Sequence, residues 1–163
     1  MVKSRHRSGI RQYIKDKPTK RGIKLWVLAD SSNAYVQDFS IYIGKQAGRE
    51  VSKHGLGYDV VMTLMHKYLN QRYHLFIDNF CTSVTLAKDL FHHGTLVTGI
   101  HSRRDFPASL KNGKVWGKGK PKGTMRWERN APVLALLRID NKVVSMITTS
   151  GNANETTQVR PHR

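Results

Sequence analysis

The chain has 163 residues, with 28 Lys+Arg against 11 Asp+Glu and a formal net charge of +17. That length fits one domain with enough chain for a core, and a 39% hydrophobic share excludes wholesale disorder. No apolar run approaches the roughly 20 residues that span a bilayer, and the basic N-terminus lacks the apolar stretch of a secretory signal. The expected setting is therefore cytosolic or nuclear, and composition leaves the polyanionic partner open. Cys81 is the single cysteine, so an internal disulfide and any Cys-based zinc module are ruled out.

The charge is segregated. Residues 1–24 hold nine Lys/Arg and one acid, residues 25–100 six of each, residues 101–129 nine and two, and residues 130–163 four and two. A neutral body between two basic segments is the footprint of a polyanionic partner, and it is this segregation of the charge that favours DNA over a membrane. The plainer alternative is a pair of flexible basic tails.

In chain order, Lys24 to Asp30 (KLWVLAD) is an apolar run, read as a buried strand ending in an acid. Ser31-Ser32-Asn33 is turn chemistry, and Tyr35 to Ile43 alternates apolar with polar, so the two runs predict an antiparallel hairpin. Gly44 to Gly57 is a polar, Gly-punctuated loop. Val61, Leu64, Met65, Tyr68 and Leu69 then recur at helical spacing. His74 to Phe80 (HLFIDNF) is a second apolar run that meets an acid. Ser83 is the expected N-cap of a helix from Val84 to His93, with Leu86, Ala87, Leu90 and Phe91 on one face and Gly94 as the C′ glycine. His92 and His93 suit the last turn of that helix better than a metal, since no second ligand pair has zinc-like spacing.

Thr95 to Ile100 predicts another strand, completing an α/β pattern of strand, strand, helix, strand, helix, strand. Residues 101–129 are rich in Lys, Arg and Gly, with Trp116 and Trp127 interleaved. The tryptophans are expected to pack on a following hairpin in preference to stacking on bases. Val133 to Ile139 and Lys142 to Thr149 supply that hairpin around Asp140-Asn141, and the polar end of the chain reads as frayed.

Asp30 and Asp78 both follow directly on apolar runs. If their strands ran parallel as sheet neighbours, both carboxylates would emerge at one end of the sheet. Magnesium takes a few carboxylate oxygens and keeps water or phosphate for the rest, and two such ions about 4 Å apart can drive phosphodiester chemistry. The competing reading is that each aspartate initiates a turn by capping nearby backbone amides. Spacing alone leaves both readings open.

Arg11 to Asp30 (RQYIKDKPTKRGIKLWVLAD) and Tyr73 to Leu90 (YHLFIDNFCTSVTLAKDL) resemble the transposase domain of the piggyBac family. The Tyr-Ile-x-x-Lys-Pro piece, the Gly-Ile-Lys leading into a strand and the Asp-Asn-Phe-x-Thr-Ser corner carry the match over roughly residues 9–150. The VLALLRIDNK stretch resembles the segment that interrupts the family's catalytic fold. The resemblance implies an RNase H-like mixed sheet with flanking helices and a β-hairpin insertion, C-terminally incomplete. It divides the chain into a basic arm (1–23), the first part of the transposase domain (24–100), a basic linker with the hairpin (101–149) and a disordered tail (150–163).

It further implies magnesium- or manganese-dependent cut-and-paste transposition of DNA at TTAA sites, in the nucleus, with homo-oligomerisation of the longer family protein. Asp30 and Asp78 match the first two catalytic and metal-ligating aspartates. The family's third lies in a Gly-Val-Asp segment that these 163 residues do not contain, and Asp140 in its hairpin turn is no substitute. A two-ion site would thus be incomplete and the chain inactive alone. The expected DNA contacts are Arg11, Lys17, Lys20 and Lys24 in the first basic segment, and Lys114, Lys118, Lys120, Lys122 and Arg126 in the second. The alternative is a non-catalytic DNA-binding remnant acting through those same arms.

Overall fold

The computed structural model describes residues 1–44, 52–101 and 105–153. The fold is mixed α/β, in two compact units that divide between Lys67 and Tyr68.

In the first unit, β3 (Arg21–Ala29) is the central strand. It pairs antiparallel with β4 (Val36–Tyr42), as the alternating pattern leads one to expect. Two short strands missed by the sequence reading, β1 (Val2–Lys3) and β2 (Arg11–Tyr13), flank the start of β3 on either side. The segment read as a basic arm is therefore built into a sheet. Gly22 makes this possible, since a Cβ there would stand 2.2 Å from the Val2 carbonyl oxygen. Helix α1 (Leu56–Met65) buries Val60, Val61, Leu64 and Met65. The expectation of a buried β3 holds only in part. Val27 and its cross-strand partner Phe39 stay 49% and 55% exposed. Most of the polar loop after Gly44 (residues 45–51) lies outside the described residues.

The second unit is a five-stranded sheet in the order β5 (His74–Ile77), β6 (Leu96–Ile100), β9 (Val143–Thr148), β8 (Val133–Ile139), β7 (Met125–Asn130). β5 and β6 run parallel, joined by helix α2 (Val84–His92) in the crossover that parallel strands require. Ser83 caps α2 as expected, its Oγ accepting from the Leu86 amide at 3.2 Å. Leu86, Ala87 and Leu90 are fully buried, whereas Phe91, expected on the same face, is exposed. Gly94 follows with φ +68°.

The β8–β9 hairpin is present as read, and β9 pairs antiparallel with β6, so it continues this sheet. Residues 105–130, which show no periodicity, contain a short helix α3 (Gly113–Trp116) and the edge strand β7. Every side chain of β7 is exposed, Trp127 included, although it sits opposite Leu136. Within the tail read as frayed, residues 154–163 lie outside the described residues.

Candidate functional site

Asp30 stands one residue beyond the end of β3 and Asp78 one beyond the end of β5. The strands belong to different sheets. Among the described residues β3 pairs only with antiparallel partners, and β5 pairs only with β6. Parallel neighbours in one sheet are thus not the arrangement found among the described residues: β1 and β2 pair with the start of β3, and β4 pairs with Lys24 to Ala29.

Turn chemistry is present at both aspartates. Asp30 Oδ1 accepts from the Ser32 amide at 2.8 Å and from the Ser32 hydroxyl at 2.7 Å. Asp78 Oδ1 accepts from the amides of Phe80 and Cys81, each at 3.1 Å. The Ser32 hydroxyl first, and then its amide, hold the Asp30 carboxyl below its ordinary value of 3.8, so it is ionised at neutral pH. Among the described residues these bonds fall on Oδ1 of each aspartate, and Oδ2 takes none. Each carboxylate is thereby oriented by its turn while keeping one oxygen available, so the two readings of these aspartates are compatible. An ionised carboxylate oxygen is the donor that magnesium prefers, so each residue fits as a ligand of that ion. No group of three His, Cys, Asp or Glu that could hold a metal occurs among the described residues.

The Asp78 corner is locked from below. Thr82 is fully buried and its hydroxyl donates to the Asp78 carbonyl at 2.6 Å. β6 approaches this corner at Gly99, where a Cβ would stand 2.3 Å from Thr82 Oγ1. Asp105, on the far side of residues 102–104, also ties down the region. Its Oδ2 accepts from the Val84 amide at 3.1 Å, and its Oδ1 lies 2.9 Å from Nε2 of the fully buried His101. That nitrogen is close enough for an electrostatic contact but is not aligned for a hydrogen bond. Neither Gly99 nor Asp105 stood out in the sequence. Nearby, burial pushes the His74 imidazole below its ordinary value, and its Nε2 lies 2.9 Å from Thr98 Oγ1.

The expected DNA-contacting cations separate into different environments. Arg11 and Lys20 line one cleft. Lys24 does not join them, because its ammonium sits 3.7 Å from the Trp26 ring centre and 5.2 Å from that of Tyr42. Lys17 is exposed in the β2–β3 turn. In the second segment Lys122 is engaged by Asp140 at 2.5 Å, and Lys120 lies 5.7 Å from the Trp116 ring centre. Lys114, Lys118 and Arg126 are exposed.

A transposase family model, described as Transposase IS4, matches residues 1–163. The chain belongs to that family. It is also 26% identical over 148 residues to the human PiggyBac transposable element-derived protein 3, a match that covers 89% of this chain and 25% of that protein. The cryo-EM structure of a piggyBac transposase synaptic complex with hairpin DNA superposes with a TM-score of 0.78 at 26% identity, covering 96% of this chain and 32% of that one. The piggyBac resemblance read from the Asp30 and Asp78 segments is therefore met by both comparisons. The family member described here spans about a quarter of the human relative and about a third of the matched structure.

Proposed function

We propose that this chain is part of the catalytic domain of a piggyBac-type transposase, with Asp30 and Asp78 as two of its metal-ligating catalytic aspartates. The observation that carries this reading is the shared design of the two strand ends. In both, turn amides fix one carboxylate oxygen and leave the other open, in a chain whose family is that of transposases. Magnesium or manganese bound there would supply Lewis-acid stabilisation of a phosphodiester and a lowered pKa for a bound water. The protein's own part is to hold Asp30 ionised through Ser32 and to keep the Asp78 carboxylate oriented over the Thr82 corner.

In this reading residues 24–100 form the first part of an RNase H-like core, and residues 101–149 are an inserted segment that extends its sheet through β9. The substrate is DNA, in keeping with the net charge and with the hairpin DNA in the matched complex. TTAA target sites, a nuclear setting and self-association of a longer protein belong to the same proposal. Without a Gly-Val-Asp segment to supply a third aspartate, these 163 residues are not expected to cleave DNA. Magnesium titration followed by amide NMR tests the core of the proposal. Shifts should gather at residues 30–33 and 78–82 and vanish in Asp30→Asn with Asp78→Asn. An unresponsive wild type, or the same response in the double variant, refutes it.

A second reading, a non-catalytic DNA-binding remnant acting through the two basic segments, is in keeping with the net charge of +17. It predicts salt-dependent DNA binding that is untouched by the two Asn substitutions. A flat salt response at low ionic strength rules it out.

A further inference from the structure

β1 and β2 flank β3 so that Lys3, Arg5, Arg11, Lys20 and Arg21 converge on one open cleft of about 490 Å³, with Tyr13 in its wall. The lining contains no carboxylate. Among the described residues none of the five cations is in a salt bridge, although the molecule has such pairs elsewhere, at Lys67–Asp38 and Lys122–Asp140. Two interactions preorganise the group. The Arg11 guanidinium donates to the Arg5 carbonyl at 3.4 Å, and the Arg21 guanidinium lies 5.6 Å from the Tyr13 ring centre. Five like charges held together by a sheet repel one another, and a ligand of high negative charge density relieves that repulsion. Guanidinium groups suit phosphate oxygens by geometry as well as by charge.

We propose that this cleft is a phosphate-binding site for the backbone of a DNA strand. Lys3, Arg5, Arg11, Lys20 and Arg21 would neutralise successive phosphates, fixing register without reading bases. The site differs from a diffuse basic arm in depending on shape. Gly22 lets β1 close against β3, so the placement of Lys3 depends on residue 22 having no side chain. The inference rests on the proposed function only in taking DNA as the source of the phosphates. It is independent of the metal reading at Asp30 and Asp78.

The test is fluorescence anisotropy of a labelled 20-base-pair duplex with the full chain, across a salt series. Lys3→Gln, Arg5→Gln and Lys20→Gln together should reduce the magnitude of the log–log salt slope by about 2.7, or roughly 0.9 for each phosphate no longer neutralised. Arg7→Gln, Lys15→Gln and Lys53→Gln remove the same charge outside the cleft and should change it far less. Equal reductions from the two triple variants overturn the site, while salt-insensitive binding by the wild type overturns DNA as the ligand. Gly22→Ala keeps every cation but displaces β1, and it should weaken binding with its fold intact by circular dichroism. A folded Gly22→Ala protein that binds like wild type contradicts the dependence on shape. Sodium pyrophosphate at matched phosphate concentration should fail to displace the duplex; half-displacement there would mean that a free anion is the ligand.

Discussion

Replacing Gly99 with alanine tests whether the Asp78 corner is held by close packing from β6. The added Cβ would lie 2.3 Å from Thr82 Oγ1, 2.8 Å from Ile77 Cγ1 and 3.1 Å from the Ile77 carbonyl oxygen. Ordinary carbon contacts need about 3.5 Å or more, so something must move by about 1 Å. Thr82 has nowhere favourable to go, being fully buried with its hydroxyl bonded to the Asp78 carbonyl. Turning it away leaves a buried hydroxyl unsatisfied, at a cost of about 1–3 kcal/mol. Pressing on Ile77 adds an overpacking cost of about 1–3 kcal/mol.

Some of this strain is shared between the two neighbours, so the expected loss is about 2–4 kcal/mol, a large part of a typical domain's stability. Urea denaturation measures it. A cycle with Thr82→Ala isolates the interaction, because Gly99→Ala should cost at least about 1 kcal/mol less once Oγ1 is gone. A loss below about 0.5 kcal/mol, or the same loss in both backgrounds, refutes the packing argument.

Three further outcomes follow from the same structure. Ser83→Ala removes the cap on the Leu86 amide and should destabilise the chain by about 1 kcal/mol in urea; no change would mean that α2 does not depend on its cap. Ser32→Ala removes the hydroxyl bond that does most to depress Asp30, so its carboxyl, followed by carbon NMR, should titrate higher, towards 3.8. The sign for stability follows from the depressed folded value. The Asp30 turn contributes fully above the unfolded pKa and is lost as pH falls through the lower folded one, so acid sensitivity should diminish in Ser32→Ala. Asp105→Ala leaves the Val84 amide unpaired and His101 without its carboxylate, which should cost about 1–3 kcal/mol by thermal or urea unfolding; a neutral substitution would show that Asp105 plays no part in anchoring α2.

Apolar periodicity made much of the fold legible. The α1 stripe, the capped α2 and the β8–β9 hairpin each place recurring apolar residues against a partner surface, and those were readable, as was the β3–β4 pairing from its alternation. β7 was not, because an edge strand with all six side chains exposed leaves no alternation in MRWERN. β1 and β2 were hidden for a related reason: two or three residues each, held by backbone pairing, look like a basic tail. Exposure of Val27, Phe39 and Phe76 was equally unreadable, since a strand's own sequence does not say what covers its faces.

At the candidate site, the identity of Asp30 and Asp78 was legible from the runs that precede them. The division of labour within each carboxylate was not, since it depends on where the turn places the following amides. Gly22 and Gly99 matter through the segment that lies opposite them, which no local pattern encodes. The cation cluster drew on Lys3, Arg5 and Arg21 and set Lys24 aside on Trp26, a sorting that only strand pairing reveals.

The central proposal is that Asp30 and Asp78 are both metal ligands. Paramagnetic broadening by manganese, read at the Ser32 and Cys81 amides, tests it most directly. Both signals should broaden, and each should lose its broadening when its own aspartate is replaced, Ser32 in Asp30→Asn and Cys81 in Asp78→Asn. A missing response at either amide, or broadening that survives the matching Asn substitution, would contradict the assignment.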